Sequence, residues 1–355
     1  MKILTIVGAR PQFIKAAPIS KALLECGIEE VLLHTGQHYD YKMSEIFFEE
    51  LGLAAPRYNL ALGGGSHGAM TGRMLEKIEE VALTQKPNWM MVYGDTNSTL
   101  AGALAGAKLR LPIAHVEAGL RSWNRNMPEE INRVLTDHVS NLLFCSSRVG
   151  LDNLAKEGIT QGVHIVGDVM ADSNRIARRI IDAAPAKFLS KLPSGIEVRG
   201  FGLLTLHRAE NTDDPERLGA IVNGLNQLSI PLLFPVHPRT SIALGRIHAG
   251  LGSHVHRIDP LGYLEMTALL SASKVVITDS GGLQKEAYWS GIPCVTLRNE
   301  TEWIETLQDG WNQLAGTGAD LATRVARAIT LTGSRPPLYG DGSAASKVAK
   351  LFLRG

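Results

Sequence analysis

The stretch HVEAGLRSWNRNMPEEINRVLTDH, residues 115 to 138, sets carboxylates where a buried strand would end and where a helix would begin. Glu117 follows the apolar run Leu111 to Val116, and Glu129 and Glu130 follow Pro128, with Arg121, Arg125 and Arg133 among them. A further acid, Asp95, stands just past the apolar run Trp89–Tyr93, in YGDTNST. Each has an ordinary reading when taken alone. Asp95 can cap a helix with Thr96 or Ser98, and Glu129 suits the positive end of a helix dipole. Their coincidence carries more. Asp95 and Glu117 follow consecutive strands and Glu129 opens the next helix, so all three are expected to face one crevice. Like charges placed together raise one another's pKa, which is useful for proton transfer and costly otherwise.

The second half of the chain repeats the pattern with different residue types. LLTLHRAENT places His207 and Arg208 at a strand end, followed by Glu210 and Asn211, and FPVHPRT places His237 and Arg239 at another. In TDSGGLQKEA a strand ends at Thr278 and Ser280, Gly281 and Gly282 open a helix. Two glycines let backbone N–H groups approach an anion closely, and a helix start favours negative charge. Glu286, one turn on, is placed to accept hydrogen bonds from ribose hydroxyls. A plain N-cap with a glycine turn is the competing reading. Near the start, GARPQFIK puts Arg10 and Lys15 around a turn in which Pro11 suits the first helical position. It is not GxGxxG, so a dinucleotide cofactor is a poor fit, but an anion is not. No HxH or HExxH spacing points to a metal, and no cofactor is expected.

These residues need elements to hold them. Candidate strands are Lys2–Val7, Glu30–His34, Trp89–Tyr93, Pro112–Val116, Leu142–Cys145 and Val163–Val166, then Gly202–Leu206, Pro231–Pro235, Lys274–Thr278 and Pro293–Leu297. Several are nearly continuous apolar runs, as parallel strands covered on both faces should be. Helical patterns lie between them, at Gln12–Cys26, Met70–Leu83, Thr99–Leu109, Pro215–Leu228 and Gly281–Trp289. Such alternation predicts an α/β chain of right-handed βαβ units in doubly wound sheets. Two series predict two Rossmann-like domains, joined by a helical connector around Gly167–Ala184. The tail breaks at Pro336 and Pro337, turns at Gly340–Gly342 and ends in a short helix.

Length and composition agree. The chain has 355 residues, long for one domain and natural for two. A net charge of +1, from 36 basic and 35 acidic residues, gives no support to a nucleic-acid surface. Cys26, Cys145 and Cys294 are far apart and suggest neither a disulfide framework nor a structural zinc. The start lacks the form of a signal peptide, and no apolar run approaches the ~20 residues that span a bilayer. A cytoplasmic protein without membrane association is expected.

With these residues in hand, the chain resembles the non-hydrolysing UDP-N-acetylglucosamine 2-epimerases almost end to end. The likeness runs through GARPQFIK, TGQHYD, YGDTNSTLAGALAG, HVEAGLRS, MPEEINRVLTDH, VGDVMAD, HRAEN, PVHPRT, TDSGGLQKEA and YGDGSAASK. It implies the two-domain glycosyltransferase-B architecture with the active site between the domains, and a homodimer. The last helix would cross back, giving residues 1–167 with 342–355 as one domain and 168–341 as the other. It also implies inversion at C2 of a UDP-2-acetamido sugar by elimination and re-addition of UDP. Carried over by position, Asp95, Glu117 and Glu129 match the family's acid/base carboxylates and His207 its catalytic histidine. Arg10, Lys15, His237, Met266, Ser280, Gly281, Gly282 and Glu286 match its nucleotide-sugar contacts.

Several positions depart from the commonest family pattern. GTRPE becomes Gly8-Ala9-Arg10-Pro11-Gln12, TERPE becomes TEWIE with Trp303 for the arginine, and Met266 stands for a phenylalanine near the uracil. These changes resemble the branch acting on UDP-2,3-diacetamido-2,3-dideoxyglucuronate in bacterial surface-polysaccharide pathways. A plain UDP-GlcNAc epimerase is the alternative. Where activated members read QHR and an acid, this chain has Gln37, His38, Tyr39 and Asp40. Loss of that cation predicts simple saturation kinetics without UDP-GlcNAc as activator. Three further rivals remain open: a glycosyltransferase of the same architecture, a hydrolysing epimerase and a non-catalytic nucleotide-sugar sensor. C2 proton exchange separates the first, and accumulation of UDP the second.

Overall fold

The computed structural model describes residues 1–37, 52–247 and 249–353. The chain forms two compact units, Met1–Ile176 with Tyr339–Gly355 and Ala177–Leu338. The division falls inside the helix Val169–Ala183, the predicted connector.

The first unit is built on a 7-stranded sheet in the order β3-β2-β1-β4-β5-β6-β7. Its strands are β1 Lys2–Val7, β2 Glu29–His34, β3 Tyr58–Asn59, β4 Trp89–Tyr93, β5 Ile113–Val116, β6 Leu142–Cys145 and β7 Val163–Ile165. All recorded pairings are parallel, with Thr5 opposite Met91 and Val92 opposite His115. The central strands are buried throughout, because helices cover both faces. Ile6, Val31, Met74, Ile78, Val92 and Ala101 form part of the core on one side. On the other side lies the helix Arg10–Glu25, against which the last helix, Ala344–Phe352, packs. Phe352 meets Trp89 edge-on at 5.4 Å, and Asp172 accepts the backbone N–H of Ala344 at 3.1 Å. Full burial of a side chain such as Phe352 stabilises by about 1.5–3 kcal/mol, which ties the tail to this unit.

The second unit repeats the topology with a 6-stranded sheet, β10-β9-β8-β11-β12-β13. Its strands are β8 Gly202–Thr205, β9 Leu232–Pro235, β10 Val255–Ile258, β11 Val275–Thr278, β12 Cys294–Thr296 and β13 Asn312–Leu314. Its core includes Leu204, Ile221, Leu232, Phe234, Ile277 and Val295.

In both units the strand order reverses beside the first strand, between β1 and β4 and between β8 and β11. Doubly wound sheets bind ligands beyond the strand ends at such switch points. Asp95 follows β4, His207 follows β8, and Ser280 follows β11, so the sequence places its chemistry at both.

Helix Pro128–Val139 is turned inside out. Its buried face is polar, with Glu130, Asn132, Arg133, Thr136 and Asp137, while Ile131 and Leu135 are exposed at 48% and 44%. Among the described residues, no helix is long and apolar enough to cross a membrane.

Candidate active site

In the first unit each carboxylate beyond the strand ends has a cation. Asp95 Oδ2 accepts a hydrogen bond from Arg133 at 2.6 Å, and Asn132 donates to the Asp95 carbonyl at 2.9 Å. Both partners lie on the helix Pro128–Val139, whose polar inner face is thereby explained. The Asp95 side chain keeps 32% exposure while Arg133 is buried. Burial pushes the Asp95 carboxyl above the usual carboxylate range, Arg133 opposes the shift, and the charges of Glu117 and Glu129 add to it. The sequence pointed to crowding of like charges as the cause; burial is the larger effect.

Glu117 forms an ion pair with Lys15, both side chains being 9% exposed. Its backbone has φ 72, a left-handed conformation that non-glycine residues seldom hold. The conformation lets both Glu117 N–H and Ala118 N–H reach the Phe144 carbonyl, at 3.0 and 3.1 Å, as β5 ends. Gly94, itself at φ +61, leaves the room this ion pair uses. A Cβ there would stand 3.4 Å from both Glu117 Oε2 and Lys15 Nζ.

Glu129 lies exposed in the first turn of its helix, near enough for its charge to act on Asp95. Its neighbour Glu130 is buried and serves the loop before it, accepting from Ser122 N–H, Ser122 O–H and Trp123 N–H at 2.9 Å each. Arg10 opens its helix half-buried. Gln12 joins two turns: its Oε1 accepts from Gly8 N–H at 2.7 Å, and its Nε2 donates to the Tyr93 carbonyl at 2.8 Å. A glutamate there would lack that donor, which gives the Gln12 departure a structural reason.

The second unit's switch point is built differently. His207 leaves β8 exposed, with Nδ1 3.1 Å from Oδ1 of the fully buried Asp279. Asp279 also accepts the N–H groups of His207 and Arg208, at 2.9 and 2.8 Å, and the Asn211 amide at 3.1 Å. Burial alone would raise the Asp279 carboxyl, but its bonds and charge pairing with His207 hold it below the usual range. An ionised Asp279 fixes Nδ1 as the donor and leaves Nε2 for chemistry.

The next residues start the helix Gly281–Ser290. Ser280 caps it, its Oγ accepting from Leu283 N–H at 3.4 Å. The first N–H groups of a helix have no intrahelical partner, and Gly281 and Gly282 add no side chain over them. Trp303 covers Lys285, whose Nζ lies 3.6 Å from the centre of its ring. Its Nε1 comes within 3.4 Å of where a Gly281 Cβ would be, so the indole borders the helix start. Glu286 is buried on the same helix. His237 caps the helix Pro238–Leu244, its Nδ1 accepting from Arg239 N–H at 3.2 Å. Met266 is half-buried against the core of this unit.

Within the first unit, Asp95, Glu117 and Lys15 thus come together, with Glu129 at the edge. Within the second, His207, Ser280, Gly281 and Gly282 do. Sequence reasoning assigned no role to Asp279 or Arg133. An acid directly before Ser-Gly-Gly at a strand end was a signal for Asp279, and the position of Arg133 one turn past Glu129 was one for it. Gln37 accepts from Ser98 O–H at 2.7 Å, while His38, Tyr39 and Asp40 lie outside the described residues.

Comparisons with known proteins point to one family. A family model described as UDP-N-acetylglucosamine 2-epimerase matches residues 21–353. A Pseudomonas aeruginosa protein named UDP-2,3-diacetamido-2,3-dideoxy-D-glucuronate 2-epimerase is 53% identical over 100% of both chains. The crystal structure of Methanocaldococcus jannaschii UDP-GlcNAc 2-epimerase with UDP-GlcNAc and UDP matches at a TM-score of 0.92, 41% identical and covering 100% of both chains. That of the Neisseria meningitidis UDP-GlcNAc 2-epimerase bound to UDP-GlcNAc matches at 0.91, 27% identical over 100% of each.

Proposed function

Because the chain belongs to the UDP-N-acetylglucosamine 2-epimerase family, we propose that it inverts C2 of a UDP-2-acetamido sugar through Asp95, Glu117, Glu129 and His207. The observation that carries this is the pair of switch points, one holding countercharged carboxylates and the other a glycine helix start with a His–Asp pair.

The C2 hydrogen lies beside no carbonyl, so simple deprotonation is out of reach. Elimination solves this. A carboxylate takes the C2 proton as the C1–O bond breaks, its electron pair leaving with UDP and a C1=C2 double bond forming. Return of UDP oxygen to C1, with a proton delivered to the opposite face of C2, gives the epimer. Glu117, countercharged by Lys15, acts as the base toward one face. Asp95 supplies the proton to the other, and Glu129 assists at the rim. Gly281, Gly282 and Ser280 receive the departing diphosphate, His207 stabilises its charge, and Glu286 holds the ribose. Arg10, Lys15, His237 and Met266 complete the nucleotide-sugar contacts.

The preferred substrate is the 2,3-diacetamido uronate, which Trp303, Met266 and the relative at 53% identity support. Its epimer would serve bacterial surface-polysaccharide synthesis in the cytoplasm. The exposed Ile131 and Leu135 support a homodimer. Proton NMR of the purified protein with the uronate and, separately, with UDP-GlcNAc tests the assignment. Turnover of the uronate at a kcat/KM at least tenfold higher is expected; the reverse order returns it to a plain UDP-GlcNAc epimerase.

A further inference from the structure

We propose that the buried His115–Asp137 pair is a positioning element that fixes both carboxylate-bearing turns of the first unit. This rests on the reading of Asp95 and Glu117 as acid and base.

His115 sits in β5, where an apolar residue would fit a strand covered on both faces. Its Nδ1 lies 2.7 Å from Asp137 Oδ1 and its Nε2 lies 2.7 Å from the Gly94 carbonyl oxygen. Both partners accept, so both ring nitrogens donate. Asp137 Oδ2 takes Gly119 N–H at 3.1 Å and Arg121 at 2.7 Å. Arg121 in turn holds Glu157 with two bonds, at 2.7 and 2.8 Å. The His115, Asp137 and Arg121 side chains are all 0% exposed.

The outputs of this chain are two backbone groups. Gly94 precedes Asp95, and Gly119 follows Glu117 by two residues. The turns are further linked by Gly94 N–H to the Val116 carbonyl at 3.0 Å. Gly94, Glu117 and Gly119 all have positive φ, at 61, 72 and 80. For Glu117 the left-handed conformation costs about 1–2 kcal/mol, so its surroundings must impose it. Stability alone does not call for the network: a buried set of charges is often matched or bettered by apolar residues of similar volume. What apolar residues would not do is hold the Gly94 carbonyl and the Gly119 N–H at fixed points on either side of the two carboxylates.

Two substitutions separate the contacts. His115→Asn keeps a donor toward Asp137 and gives up Gly94; His115→Gln keeps a donor toward Gly94 and gives up Asp137. With the uronate substrate, His115→Asn is expected to lower kcat by about 10²-fold, the loss typical of a small misplacement of reacting groups. KM and UDP affinity should stay near wild type, and His115→Gln should lose less turnover than His115→Asn, because Gly119 and Arg121 still hold Asp137. Near-normal turnover in His115→Asn, or equal losses in both variants that follow melting temperature, would each overturn the proposal. Asp95→Asn and Glu117→Gln serve as controls. If they keep turnover, the acid/base reading itself fails, and this inference with it; if they lose it while His115→Asn does not, only the inference fails.

Discussion

The two units share a topology and differ in what they place at its switch point. Beyond β4 and β5 the first unit gathers side-chain charge: Asp95 against Arg133, Glu117 against Lys15, and beneath them the buried His115–Asp137 pair. Beyond β11 the second unit offers backbone instead: a capped helix start and two glycines, bordered by Trp303, Glu302 and Arg208, and one histidine held by Asp279. The first arrangement suits moving protons, since carboxylates with distinct surroundings have distinct proton affinities. The second suits a polyanion, since backbone N–H groups carry partial positive charge that cannot titrate away. On the proposed function, one scaffold, used twice, would separate the acid/base work from the leaving-group work.

The largest expected effect breaks the first half of that comparison. Glu117→Gln or Asp95→Asn should lower kcat by about 10²–10⁴-fold, the usual worth of a general acid or base. UDP affinity measured by calorimetry should change little. A variant that loses UDP binding and turnover together would erase the division of labour.

Next in size is the converse test. Gly281→Val should weaken UDP binding by roughly tenfold or more, because its side chain stands over the helix start. The site itself tolerates a side chain: a Cβ would meet Trp303 Nε1 at 3.4 Å and nothing nearer, and the backbone there does not require glycine. Melting temperature should therefore hold while affinity falls. Unchanged UDP affinity would place the diphosphate elsewhere.

A smaller effect sharpens the role of the His–Asp pair. Asp279→Asn keeps an acceptor for the backbone N–H groups but removes the charge that orients His207. Turnover should fall by about tenfold, less than the ~10²–10⁴-fold assigned to the acid/base groups themselves. Full activity would mean that His207 needs no partner.

A last test concerns shape rather than chemistry. Arg298 holds Glu302 with two bonds, at 2.9 and 3.0 Å, and lowers its carboxyl to about 2, against burial that would raise it. A depressed carboxylate stabilises the fold fully above its unfolded value of 4.5, and that contribution is lost as pH falls toward 2. The loss is on the order of 3 kcal/mol. Melting temperatures across this window should fall less steeply in Glu302→Gln than in wild type.

Much of this was legible in the sequence because parallel strands buried on both faces announce themselves as apolar runs. β1, β4 and β6 lie where those runs lie. β3, β10 and β13 were not named. Tyr58–Asn59 is a two-residue edge strand, Asn312–Leu314 begins with two polar residues, and Val255–Ile258 is only partly buried and carries His256 and Arg257. The residues of the candidate site were legible because strand ends mark them. Their partners were not. Asp137 meets His115 across 22 positions of sequence, and Arg133 meets Asp95 across 38. No periodicity links such pairs; only the return of the helix Pro128–Val139 over the strand ends does. Gln12 was visible as a departure, and only the turn it bridges explains it.

The central claim is that protons exchanged with solvent at one switch point invert the C2 centre while the other holds UDP. It is tested most directly by running the reaction in deuterated water and following C2 by NMR. Wild-type protein should give an epimer carrying deuterium at C2 with no accumulation of UDP, and Glu117→Gln should lose inversion while still binding UDP. Inversion with the original hydrogen retained at C2 would contradict the account.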